Sequence, residues 1–178
     1  MRANRIDLGR SAQSSFASLK RSLADCGRLC VLDRYVTFNQ FIMSAKKIVR
    51  IDGFRFNTLE EFFDHFAEKA LDSLVWGKNL DAFNDVLRGG FGTPEDGFVI
   101  EWQSHERSKE CLGFEETIQQ LQLRLLRCHP LNVAHVTEQL MAARRRQGST
   151  VFDWLVEIIQ THCPGGAEAS DGIELVLR

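Results

Sequence analysis

Three stretches with β-strand patterning, separated by stretches with helical patterning, constrain the fold of this chain most strongly. Strands are predicted at residues 46–51, 97–102 and 173–177. Two helical patterns lie between the first two strands, and three lie between the last two. Because a helical crossover returns the chain to the same end of a sheet, strands joined in this way pair in parallel. The sequence therefore predicts an α/β domain with a small, mostly parallel three-stranded sheet packed with helices.

The first predicted helix begins with a capping box formed by Thr58 and Glu61. The Thr58 hydroxyl can accept a hydrogen bond from the Glu61 backbone N–H, and the Glu61 side chain can reach back to the start of the helix. The buried stripe of this helix is predicted to comprise Leu59, Phe62, Phe63, Phe66, Ala70 and Leu71. The opposite face is acidic and carries Glu60, Glu61, Asp64 and Glu68.

The second predicted helix, at residues 80–88, combines a clear start with two carboxylates on one face. Asn79 is a favourable N-cap residue, and two glycines follow the last residue of the helix. Asp81 and Asp85 are four residues apart and so share a face, and we expect Asp85 to pair locally with Arg88, three residues beyond it. Asp81 also lies in the first turn, where the helix dipole favours a negative charge. By periodicity alone, this pattern is more typical of a solvated helix face than of a binding site.

Three further helices are predicted at residues 114–127, 133–146 and 151–162, with Pro130 separating the first two. The side chains predicted to face inward are Ile118, Leu121, Leu125 and Leu126 in the first, Val136, Leu140 and Ala143 in the second, and Phe152, Leu155, Val156 and Ile159 in the third.

Composition and charge exclude several classes of protein. No run approaches the roughly 18 apolar residues of a membrane span, and the arginines near the N-terminus are not followed by the apolar stretch of a signal peptide. The five cysteines are odd in number and scattered, which favours reduced thiols and a cytoplasmic location. Ten acidic and three basic residues in the range 60–101 favour a basic partner over nucleic acid.

Residues 1–42 differ from the rest of the chain. They hold seven basic and three acidic residues, whereas residues 43–178 hold fifteen and twenty-one. We predict an N-terminal extension at 1–42 and a domain at 43–178, with Met43 as a hypothetical natural start. A shortened chain that begins at Met43 and fails to fold or to bind its partner would contradict this hypothesis.

No pattern in the sequence indicates catalysis. The five histidines have no spacing typical of a metal site or a catalytic triad, and no nucleophile–base pair stands out. The glycines after residue 88 follow a helix and not a strand, so they do not form a dinucleotide-binding loop. We therefore expect no enzyme activity, no cofactor and no metal. Arg144, Arg145 and Arg146 leave nucleic-acid binding open as a less favoured alternative.

Residues 75–90, VWGKNLDAFNDVLRGG, resemble the inhibitory loop and helix of the barstar family, in which an aromatic-Gly-x-Asn-Leu-Asp-Ala stretch opens the helix. The resemblance extends over about residues 44–178, with an insertion near 111–148 that adds a helix. It implies a barstar-like fold and a protein that blocks a small, basic, secreted ribonuclease or related nuclease toxin, as a bacterial immunity protein does. The partner-binding residues implied are Val75, Trp76, Gly77, Asn79, Asp81, Asn84, Asp85 and Arg88.

The sequence also departs from the family pattern at three positions. Val75 stands where the family has an aromatic residue, Asn84 where it has a tryptophan, and Ser149 at the approximate place of a contacting glutamate. These changes indicate a different cognate nuclease. The alternative is a barstar-like interaction module with a non-nuclease partner. In either case we expect a chain that is monomeric when free and that contacts neither membrane nor nucleic acid.

Overall fold

The computed structural model of the chain describes residues 46–71, 75–90 and 92–178. The extension predicted at 1–42 and the hypothetical start at Met43 lie outside these residues. Within the described ranges, no helix is long and apolar enough to cross a membrane.

A three-stranded parallel sheet forms the centre of the fold. Its strands are β1 (Lys47–Asp52), β2 (Phe98–Gln103) and β3 (Glu174–Leu177), in the order β1-β2-β3. Val49 pairs with Ile100, which pairs with Leu175, and both strand pairings are parallel. The α/β prediction is therefore confirmed, with each strand shifted by one residue or less from its predicted start.

Helix α1 (Leu59–Ala70) contributes five buried apolar side chains to the main core. Phe62 is fully buried and stacks on Trp102 of β2 with ring centroids 5.2 Å apart. All six residues predicted for the buried stripe are buried, together with His65. The capping box is confirmed in part. Thr58 accepts from the Glu61 backbone N–H at 3.2 Å, but the Glu61 carboxylate accepts from the Asn57 N–H at 2.7 Å.

Two predicted helices complete the main core. One further helix, which the sequence did not predict, follows β2. Helix α2 (Leu80–Leu87) precedes β2, and α6 (Val151–Thr161) precedes β3. Helix α3 (His105–Cys111) follows β2 directly and buries only Ser108, whose hydroxyl accepts from Trp102 Nε1 at 2.9 Å. Because α3 has no apolar stripe and no side-chain cap, periodicity did not reveal it.

Helices α4 (Phe114–Leu125) and α5 (Val133–Arg144) pack on each other and form a second, smaller core. Val136, Leu140 and Ala143 are buried there, as predicted. The inward position predicted for Leu126 is wrong, since its side chain is 82% exposed. Leu126 continues the right-handed turn at the end of α4, and at 3.6 residues per turn it lies about 100° around the axis from Leu125, outside the stripe that Leu121 and Leu125 share.

Candidate functional site

Local interactions and core packing together hold helix α2 in place. The Asn79 side chain accepts from the Ala82 N–H at 2.8 Å, so the predicted N-cap is confirmed. Phe83, Val86 and Leu87 are buried against the main core. At the other end, the buried Thr93 hydroxyl donates to the Val86 carbonyl at 2.9 Å. The opposite, exposed face of α2 therefore belongs to a helix that its cap and its core contacts hold rigidly.

Asp81 and Asp85 lie on the outer face of α2, and both are exposed. They are one turn apart, about 6 Å along the axis at 1.5 Å per residue. Among the described residues, Asp81 has no ion-pair partner within 4 Å, whereas Asp85 accepts from Arg88 at 2.7 Å. The local pairing of Asp85 with Arg88 is therefore confirmed.

The loop before α2 contains one fully exposed and one half-buried apolar residue. Val75 is 97% exposed. The Trp76 ring packs edge-on against Phe63 of α1, with centroids 5.3 Å apart, and its buried Nε1 has no hydrogen-bond partner among the described residues. The Gly77 carbonyl accepts from Asn79 Nδ2 at 3.1 Å, which ties the loop to the helix cap. Trp76 therefore contributes to the core as well as to the surface.

A bidentate ion pair joins Arg88 to Glu168, in the loop between α6 and β3. Arg88 Nε and Nη2 donate to the two Glu168 oxygens, each at 2.8 Å. The hydrogen bond with Arg88 lowers the pKa of Glu168 below its usual value, and the same bond raises the pKa of Arg88. Arg88 thus lies between two carboxylates, those of Asp85 and Glu168.

Asn84 is directed towards the interior of the domain in this structure. Its Oδ1 lies 3.0 Å from Nε2 of the fully buried His162, whose Nδ1 lies 2.6 Å from Asp171 Oδ2. The amide oxygen of Asn84 is therefore already engaged in the free chain. This contact attaches α2 to the end of α6.

His162, Glu168 and Asp171 place potential metal-ligand atoms within 4.8 Å of one another. Arg88 already donates two hydrogen bonds to Glu168, and its guanidinium charge disfavours a second cation at this position. The cluster is better described as an ion-pair network that supports α2. The sequence does not reveal this network, because its members follow Asn84 and Arg88 by about 80 positions and no local pattern links them.

All eight predicted site residues lie in α2, in its caps or in the loop before it, but they have different roles in the structure. Val75, Gly77, Asp81 and Asp85 are exposed, Asn79 caps the helix, and Trp76, Asn84 and Arg88 make contacts within the domain.

Residues 46–125 match the model of the family described as Barstar (barnase inhibitor). The match begins at the start of β1 and ends with α4, so it includes α2 but not His162 or Glu168. No curated protein matches the chain.

Proposed function

Residues 46–125 of this chain match the model of the family of barnase inhibitors described as Barstar, and from this match we propose that the protein inhibits a small basic ribonuclease or related nuclease toxin. In this proposal, helix α2 and the loop before it occupy the active site of the nuclease. The observation that carries the proposal is the rigid helix with Asp81 and Asp85 exposed on adjacent turns.

The chemistry of these two carboxylates suits a ribonuclease cleft. A cleft that binds RNA must carry cationic groups for phosphates. Two carboxylates on a rigid helix can take the place of successive phosphates there, and little conformational entropy is lost on binding when the helix is already ordered. Asp81 and Asp85 are therefore proposed to contact the cationic groups directly, with Val75, Trp76 and Gly77 beside them.

Charge also favours rapid capture of such a partner. Opposite fields raise association rates well above those of uncharged partners, and salt reduces the effect. The barnase–barstar complex is itself a standard example of this steering and of close charge pairs that strengthen binding. An inhibitor that protects its own cell from a nuclease would act in the cytoplasm as a free monomer, and we include both in the proposal.

A related module with a non-nuclease partner is the second candidate. The hydrogen bond of Asn84 with His162 and the valine at position 75 favour it, because both make the surface around the two carboxylates differ from the family pattern. Such a module would use the same exposed face of α2 for a different basic protein.

An inhibition and capture experiment tests the proposal. The tagged chain is incubated with barnase and with a panel of small basic ribonucleases and nuclease toxin domains, and bound protein and residual RNA cleavage are measured. We expect at least one nuclease to be captured and inhibited, with an association rate that falls as salt rises, and we expect no binding to RNA alone.

The double variant Asp81→Ala/Asp85→Ala is expected to abolish this inhibition. Glu106→Ala/Glu110→Ala is the matched control, because it removes two exposed carboxylates four residues apart on α3. Equal loss in both variants would show that only net charge matters. A captured basic partner without nuclease activity would support the interaction module, and binding of RNA instead of protein would contradict both proposals.

A further inference from the structure

We propose that Glu168 is a positioning residue for the binding helix. It holds the guanidinium of Arg88 and thereby leaves one oxygen and the negative charge of Asp85 available to a basic partner. This inference rests on the proposed function, which it extends to a residue beyond the segment that matches the family.

The hydrogen bonds divide Arg88 unequally between its two acceptors. Glu168 receives two bonds, from Nε and Nη2, whereas Asp85 receives one, from Nη1 to Oδ1. Among the described residues, Asp85 Oδ2 accepts no hydrogen bond from a side chain. The Oδ2 oxygen of Asp85 is therefore available to a partner, and the Asp85 side chain is 56% exposed.

Without Glu168, the same guanidinium would pair fully with Asp85. Arg88 follows Asp85 by three residues, so the two side chains meet on the helix surface. The planar fork of an arginine fits both oxygens of one carboxylate. Such a pair would occupy both oxygens of Asp85. The group of three side chains would also change from a net charge of about −1 to neutral when Glu168 is lost.

The backbone around Glu168 is suited to hold its carboxylate at this position. The Glu168 N–H donates to the Thr161 carbonyl at the end of α6, at 2.9 Å. Two residues earlier, the chain passes so close to α6 that a Cβ on Gly166 would overlap the same carbonyl oxygen. Glu168 Oε2 also lies 3.4 Å from Nδ1 of the buried His162. The loop therefore presents Glu168 to α2 from a fixed point on α6.

The first test uses the free full-length chain and needs no partner. The Nε–H resonance of Arg88 is followed by NMR, because Glu168 is the acceptor of this group among the residues that the structure describes. We expect a resolved, slowly exchanging signal in the native chain and in Asp85→Asn, and its loss in Glu168→Gln. A signal that persists in Glu168→Gln, or that is lost in Asp85→Asn, would overturn the assignment of Arg88 to Glu168.

The second test measures inhibition of barnase, and of any ribonuclease captured by the native chain. Glu168→Gln is expected to weaken inhibition by about tenfold at low ionic strength and by less at high salt, since the effect is mainly electrostatic. The double variant Glu168→Gln/Arg88→Met is expected to recover most of this loss, because the competing guanidinium is gone. In an Asp85→Asn background, Glu168→Gln is expected to cause little further change.

These outcomes separate the inference from the proposed function. Unchanged inhibition by Glu168→Gln, or a loss that Arg88→Met does not restore, would leave the inhibitor intact and overturn the role of Glu168. Failure of the native chain to inhibit any ribonuclease would instead overturn the proposed function, and the role of Glu168 towards a nuclease would be withdrawn with it.

Discussion

Glu116 of α4 is predicted to stabilise the start of α1, and the variant Glu116→Ala tests this. Its side chain lies in the interior, with the residue 4% exposed, and Oε1 accepts from the Leu59 N–H and from Gln120 Nε2, each at 2.9 Å. Leu59 is the first residue of α1, where backbone N–H groups have no partner within the helix. Glu116 therefore caps α1 from a helix more than fifty residues away.

The expected cost follows from this geometry. A hydrogen bond to a carboxylate contributes about 1.5–3 kcal/mol, and removing the acceptor leaves a buried N–H without a partner. A negative charge at a partly buried helix N-terminus contributes up to about 2 kcal/mol more, although the two effects overlap. We expect Glu116→Ala to lower the free energy of unfolding by about 2–3 kcal/mol. For a domain of this size, that corresponds to a Tm lower by roughly 6–12 °C.

Urea denaturation and thermal unfolding, both followed by circular dichroism, measure this effect. Glu116→Gln retains an oxygen acceptor and is expected to lose less than half as much stability. Glu115→Ala is the matched control, because Glu115 is next in sequence, has an 82% exposed side chain and pairs with Arg146 at a long distance of 3.6 Å. If Glu116→Ala is no less stable than Glu115→Ala, the proposed capping of α1 by α4 is incorrect.

Two further predictions concern α2 and the response to pH. Asn79→Ala is expected to lower the free energy of unfolding by about 1 kcal/mol through loss of the N-cap. In the same denaturation series, Asn79→Asp is expected to be close to native. Equal loss of stability in both variants would contradict the role of Asn79 as the cap. Burial, followed by the charge of Lys69, lowers the pKa of His65, whose Nε2 accepts from the Asp52 N–H at 3.1 Å. As pH falls, the unfolded chain therefore binds a proton at His65 before the folded chain does. The stability that the neutral His65 contributes to the folded chain is fully present above the usual pKa of 6.5 and declines as pH falls below it. Unfolding measured between pH 8 and 5 should show a steeper decline for the native chain than for His65→Gln, and parallel curves would refute the assignment.

Short-range patterns predicted most of the secondary structure. The strand at β1, the caps at Thr58 and Asn79 and the buried stripe of α1 all depend on residues a few positions apart, whose interactions are formed within the element itself. The exposed positions of Asp81 and Asp85 and the pairing of Asp85 with Arg88 follow from the same helical spacing. The resemblance of residues 75–90 to barstar then identified α2 as the candidate binding element.

The elements that the sequence did not predict have weak local signals. Helix α3 lacks an apolar stripe, and its position depends on the burial of Ser108 against Trp102. Glu116 lies in the first turn of α4, where an acidic residue is ordinary on an exposed surface, yet it is buried as a cap for α1. Leu126 is apolar and lies at the end of a helical pattern, yet it is exposed because it lies about 100° around the helix axis from Leu125, outside the buried stripe.

The sequence by itself determined the α/β architecture, the limits of α2 and the acidic character of its outer face, because each depends on periodicity and capping over a few residues. Only the tertiary structure decided which of those side chains are free to meet a partner. Asn84 is engaged by His162, and Arg88 is shared between Asp85 and Glu168, through contacts about 80 residues apart in the chain. Such contacts form only when the end of α6 packs beside α2, and no spacing in the sequence encodes that proximity.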